Sequence, residues 1–174
     1  MYASDYGFDV KPIAFFLNKR FAWRTVVSQP LKVSVKDFDG KRAEMNADLL
    51  VEQLENAARE YGVPSRPFVV IGYTSLPMFS PSSPASPYIY MRHSALGQGG
   101  IAVISTTHLT AAANTVMQQR LMKITLRAIG LYVLHRKLTF DDWSVMHLPL
   151  DSAADLDLMR PVFDHAPHTA IVNP

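Results

Sequence analysis

Six histidines and no cysteine set the limits of the metal and nucleophile chemistry this chain can carry. Without a thiol there is no disulfide, no cysteine nucleophile and no cysteine-ligated zinc site, and that absence suits either redox compartment. Of His93, His108, His135, His147, His165 and His168, only the last two fall close together. A pair at i, i+3 can share a helix face and a metal, but Pro167 lies between them and no third ligand is near, so a polar tail is the plainer reading. There is no Gly-x-x-x-x-Gly-Lys-Ser/Thr, no Gly-x-Gly-x-x-Gly after a strand, no Gly-x-Ser-x-Gly and no His-Glu-x-x-His. A hydrolase site would have to be assembled by folding, from His93, His108 or His147 with Asp141 or Asp142. Tyr88, Tyr90 and Met91 beside Arg92 have the make-up of a protein or peptide contact, aromatic with one cation. Core packing of a strand accounts for the same residues.

The elements that must position these groups follow from where the charges are missing. From Pro67 to Gln119, 53 residues contain one charged side chain, Arg92. Within that stretch Pro67–Thr74 and Gly100–Thr106 are short, β-branched apolar runs bounded by Gly, Pro and Ser, the pattern of strands buried on both faces. Leu31–Asp37 alternates apolar and polar, which predicts a strand with one wet face. Leu49, Leu50, Leu54 and Ala57 recur at helical spacing, predicting a helix over 46–61 that Gly62 and Pro64 end. A second, longer helix is expected over 111–135, with His135 capping its carbonyl end. Residues 76–98, with four prolines, read as an irregular loop, a flap or recognition segment or a solvated insertion. Gly97-Gln98-Gly99-Gly100 reads as a turn, and a short acidic helix is expected over 152–159.

At 174 residues, 48% hydrophobic and 18% charged, with mean hydropathy +0.04, the chain is expected to form a single domain over 1–174, with 1–28 as an N-terminal extension. A net charge of +2 argues neither for nucleic acid nor for an anionic membrane. Charges at Asp5, Asp9, Lys11, Lys19 and Arg20 speak against a secretory signal, and no run is long enough for a membrane span.

From Val69 to Met159 the order of the parts resembles the metzincin metalloproteases, and most closely the archaemetzincins. The pieces that carry the resemblance are Val70-Ile-Gly-Tyr-Thr74, the strand Gly100-Ile-Ala-Val-Ile-Ser105, Arg120-Leu-Met-Lys-Ile124 at the start of a long helix, and a methionine turn at Ser144-Val145-Met146. Leu150–Asp157 is similar to the acidic helix start that follows such a turn. The resemblance implies an α+β (α/β-like) fold with a mixed, mainly parallel sheet of three to five strands and a long central helix. It also implies a zinc motif, His-Glu-x-x-His-x-x-Gly-x-x-His, and there the sequence departs. With the motif's glycine at Gly130, Lys123 and Arg127 stand at the two helix histidines, Ile124 at the general base and Val133 at the third histidine. An ammonium or a guanidinium repels a metal cation, so neither zinc nor another cofactor is expected.

Lys123 and Arg127, at i, i+4, share one helix face. Their fixed charges could hold a carboxylate in the former cleft, or they could simply be two ordinary cations on a solvated face. Reversing both charges should then leave the melting temperature nearly unchanged. Lys123, Arg127, Tyr88, Tyr90 and Arg92 are accordingly the candidate binding residues, and Ser144, Val145 and Met146 the structural turn. The expectation is a non-catalytic binding or structural protein with a protein or peptide partner. It could also be a subunit of a larger assembly docking through the basic, aromatic stretch Phe15–Arg24. The alternative is a peptidase with an unrecognised active site.

Overall fold

The computed structural model describes residues 9–21, 24–83, 89–111 and 113–163. In chain order its elements are α1 (Lys11–Phe21), β1 (Phe38–Asp39), β2 (Glu44–Asn46), α2 (Ala47–Tyr61), β3 (Val69–Thr74), β4 (Met78–Phe79), β5 (Met91–Leu96), β6 (Gly99–Ser105), α3 (Asn114–Tyr132) and α4 (Ala153–Leu158).

The two uncharged apolar runs become β3 and β6, paired in parallel from Val69 opposite Gly100 to Thr74 opposite Ser105. β5 joins the other side of β6 antiparallel, giving the order β3-β6-β5. Helices cover both faces of this sheet. Ile101 and Val103 of β6 pack with Leu50, Leu54 and Ala57 of α2, while Ala102 and Ile104 pack with Leu121 and Ile124 of α3. Double coverage is why these strands read as unbroken apolar runs with no alternation. A smaller sheet, β1-β2-β4, has one antiparallel and one parallel pairing. The α+β fold with a mixed sheet and a long helix is thus present, with its strands divided between two three-stranded ladders.

Helix α2 starts where expected. The Asn46 side chain accepts hydrogen bonds from the Asp48 and Leu49 N–H groups, and Gly62, at φ 88°, closes the other end. Helix α3 is shorter than its apolar pattern suggested. It begins only at Asn114, beyond a 3-10 turn at Thr107–Leu109, and at the far end the Arg136 N–H bonds back to the Gly130 carbonyl. His135 lies in the connection after the helix, exposed and at φ 49°.

Two further expectations are corrected. Leu31–Asp37 is not a strand: it runs irregularly into a 3-10 turn at Val35–Asp37, closed by the Asp37 N–H on the Ser34 carbonyl. Asp37 is buried there, where its carboxylate accepts from the Gln53 side chain of α2, so alternation was not enough to make a strand. Residues 76–98 contain β4 and all of β5, and 84–88 lie outside the described residues. Leu96 and Gly99 face each other across a two-residue turn, and Gly97 supplies its positive φ of 57°. Part of the expected N-terminal extension is helix α1, whose Ile13 and Leu17 are buried in the α3-side core.

Candidate functional site

Helix α3 and the chain beneath it carry a set of polar contacts on the α3 side of the sheet. Ser144, Val145 and Met146 are all buried. The Met146 N–H donates to Ser144 Oγ, and that hydroxyl donates to the Phe163 carbonyl at 2.5 Å. Thr139 and Leu148 N–H groups bond to the Met146 and Thr139 carbonyls, which closes the turn. Met146 lies directly under Gly130: a Cβ at Gly130 would come 2.5 Å from Met146 Sδ and 3.0 Å from the Phe163 ring. Gly130 is therefore required by contact with the turn. At the other end of α3, Arg120 makes a two-pronged ion pair with Asp157 of α4, at 2.6 and 2.8 Å, and also reaches the Thr110 carbonyl at 2.9 Å. That hydrogen bond, with the Arg120 charge, holds the Asp157 carboxyl below its usual range.

Lys123 and Arg127 are not on a solvated face. They are 8% and 6% exposed. Lys123 Nζ donates to the Leu156 carbonyl of α4 at 2.6 Å, and one Arg127 terminal nitrogen donates to the Val145 carbonyl at 3.2 Å and to the His147 carbonyl. These carbonyls come from α4 and from both sides of Met146. Burial pushes both groups below their ordinary values, Arg127 to about 10, which leaves it a cation at neutral pH. The amphipathic pattern could not show this, because the groups they meet are backbone atoms without a sequence signature.

Arg92 lies on the opposite side of the sheet. Its Nε is 2.5 Å from Asp48 Oδ1 of α2, and its terminal nitrogen is 2.8 Å from Ser82 Oγ. Ser80 and Ser82 hydroxyls also donate to Asp48. Burial alone would raise the Asp48 carboxyl, but the hydrogen bonds from Ser80, Arg92 and Ser82 outweigh it and leave it below its usual value. These residues edge an open groove of about 520 Å³ between α2 and β5, lined also by Glu52, Glu55, Asn56, His93 and Ser94. Asp48, Glu52 and Glu55, at i, i+4 and i+7, were legible as one helix face, but the sequence reading passed over them. Tyr90 does not join a rim: it is buried in the α3-side core, stacked edge-on against His108. Tyr88 lies outside the described residues. The candidate binding residues thus separate onto two faces of the sheet.

The histidines disperse. His93 Nδ1 is 2.6 Å from the Tyr132 hydroxyl, which ties β5 to the end of α3. Burial, then the charges of Arg92 and Arg127, hold His93 below its ordinary value, and burial raises Tyr132, so the pair is neutral imidazole and phenol. One pairing required by a hydrolase does form, His147 Nδ1 at 3.4 Å from Asp142 Oδ1. The nearby Ser144 hydroxyl is already engaged, accepting from the Met146 N–H and donating to the Phe163 carbonyl. His165 and His168 lie outside the described residues.

No protein-family model matches the sequence, and no curated protein matches it significantly. Solved structures do. The archaemetzincin of Archaeoglobus fulgidus, solved in complex with malonate, is 20% identical with a TM-score of 0.68, covering 95% of this chain and 92% of that one. The archaemetzincin of Methanopyrus kandleri is 18% identical with a TM-score of 0.68, over 90% of this chain and 79% of that one. A zinc-dependent peptidase of Methanocorpusculum labreanum is 16% identical with a TM-score of 0.66, over 89% and 88% of the two chains. The chain therefore has the archaemetzincin fold, and it lacks that family's zinc motif.

The residues here do not fit a zinc ion. Lys123 and Arg127 offer N–H donors, already bonded to carbonyls, in place of imidazole lone pairs. Ile124 is fully buried hydrocarbon, and Val133 caps α3 through its backbone. Among the described residues no three His, Cys, Asp or Glu side chains come together to hold a metal, and no helix is long and apolar enough to cross a membrane.

Proposed function

We propose that this chain is a non-catalytic binding or structural protein built on a metalloprotease-like scaffold, with a protein or peptide partner. The observation that supports this reading is the chemistry of one face of α3: the positions matching two ligands and the general base carry two hydrogen-bonded cations and a buried isoleucine. Hydrolysis through a metal-bound water needs neutral ligands and a base beside the water, and none of the three positions can supply either. Binding would then fall on the α2–β5 groove around Arg92, because Lys123 and Arg127 already hold carbonyls of the chain itself. Role in a larger assembly is part of the same reading, with the outer face of α1, where Phe15 is 68% exposed among Lys11, Lys19 and Arg20, as the docking surface.

Incubation with unfolded casein and added zinc tests the enzymatic half. Peptide release no greater than that of buffer is the expected result, and turnover abolished by chelator overturns the reading.

A further inference from the structure

We infer that Lys123 and Arg127 form an internal staple that does the cross-linking work of a metal, tying α3 to α4 and to the methionine turn through three backbone carbonyls. The inference rests on the non-catalytic reading and gives these two residues a role within the fold, so neither remains a ligand-binding residue.

The geometry carries it. The two side chains leave α3 one turn apart on the same face and diverge to separate segments. Lys123 reaches the Leu156 carbonyl, one of the last four of α4, which have no partner within the helix. A cation there also meets the negative end of the helix. Arg127 reaches the carbonyls of Val145 and His147, which flank Met146 on either side. Met146 presses up against Gly130 of the same helix. One face of α3 thus fixes both segments beneath it by directed, charge-assisted hydrogen bonds. Arg120 and Asp157 extend the same seam by one turn toward the helix start. A bound metal joins segments by offering several bonds from one point. Here two fixed cations offer three bonds from one helix face.

The test has a wild-type arm and a variant arm, both read as melting temperature. Wild type is expected to melt at the same temperature with excess chelator, with added zinc and with neither; a fall of several degrees in chelator overturns the staple, since a metal would then be the cross-link. Lys123→Met and Arg127→Met, which keep the side-chain bulk and lose the donors, are expected to lose several degrees each and to speed proteolysis within 139–158. Lys123→Arg and Arg127→Lys keep a cation and are expected to retain most of the stability, even if the methionine variants do not fold. If the cation-keeping variants lose as much as the methionine variants, or if the methionine variants melt like wild type, the staple is refuted. Failure of the casein experiment would overturn the non-catalytic reading, whereas the outcomes of the variant arm bear on the staple alone.

Discussion

Gly130 and Met146 form a close contact that a single substitution can probe. Gly→Ala within an ordinary exposed helix stabilises by about 0.5–1 kcal/mol through chain entropy. At Gly130 the new methyl would meet Met146 Sδ at 2.5 Å, inside a core where Met146 is fully buried. Gly130→Ala is therefore expected to destabilise by about 1–3 kcal/mol, the opposite sign, by denaturant melting. Met146→Ala should cost about 2–5 kcal/mol by leaving a cavity. Because the shorter side chain also makes room for the new methyl, the double variant is expected to be more stable than the sum of the two single effects. Additive costs would show that the two residues do not press on each other. The same scale reverses one expectation from the sequence. With both cations buried against carbonyls, Lys123→Glu with Arg127→Glu places carboxylates beside oxygen acceptors, and it is expected to unfold the chain, whereas a solvated face would have tolerated the change.

Between elements, the join of β5 and β6 with the end of α3 depends on a second glycine. A Cβ at Gly100 would enter the Tyr132 ring, and Tyr132 is the residue that holds His93 of β5. Gly100→Ala is expected to displace Tyr132 and break that hydrogen bond, lowering the melting temperature by more than Tyr132→Phe, which removes only the hydroxyl. Equal effects would argue that the glycine is there for the strand alone. The elements also show what was readable from the sequence. β3, β6, α2 and α4 follow from apolar runs, helical spacing and capping residues, all local properties. β5 was hidden because Met91–Leu96 is mixed in character and sits in a proline- and serine-rich stretch, and only its long register on β6 makes it a strand. The Leu31–Asp37 alternation misled for the converse reason: it has a strand's pattern and no ladder. At the site, the departure from the zinc motif was legible in the order of residues, and so was the position of Ser144-Val145-Met146 after the long helix. The carbonyl partners of Lys123 and Arg127 were not, since any residue type provides a carbonyl.

For the whole molecule, the two cores meet through the central sheet, so a charge in either face should be felt globally. Ile71 faces the α3 side and Val103 the α2 side, both buried. Ile71→Asp or Val103→Asp is expected to cost several kcal/mol and abolish cooperative melting. Stability should also depend on pH with a definite sign. His93 is held below its ordinary value of 6.5 in the folded chain, so the unfolded chain binds that proton more tightly. Its contribution is complete above about pH 6.5 and is lost as pH falls toward the folded value, and the pH dependence of the melting temperature in that window should flatten in His93→Gln. Asp48 and Asp157 act the same way at lower pH: held down by Ser80, Arg92 and Ser82 and by Arg120, they stabilise above their ordinary value of 3.8 and cease to as pH falls through their folded values. Under the proposed reading, an archaemetzincin fold here carries fixed cations in place of metal ligands. Its most direct test is elemental analysis of the purified chain after dialysis against zinc and then against metal-free buffer without chelator. Zinc far below one equivalent per chain is the expected result. A content of about one zinc per chain, lost on changing His93, His108 or His147, would contradict it.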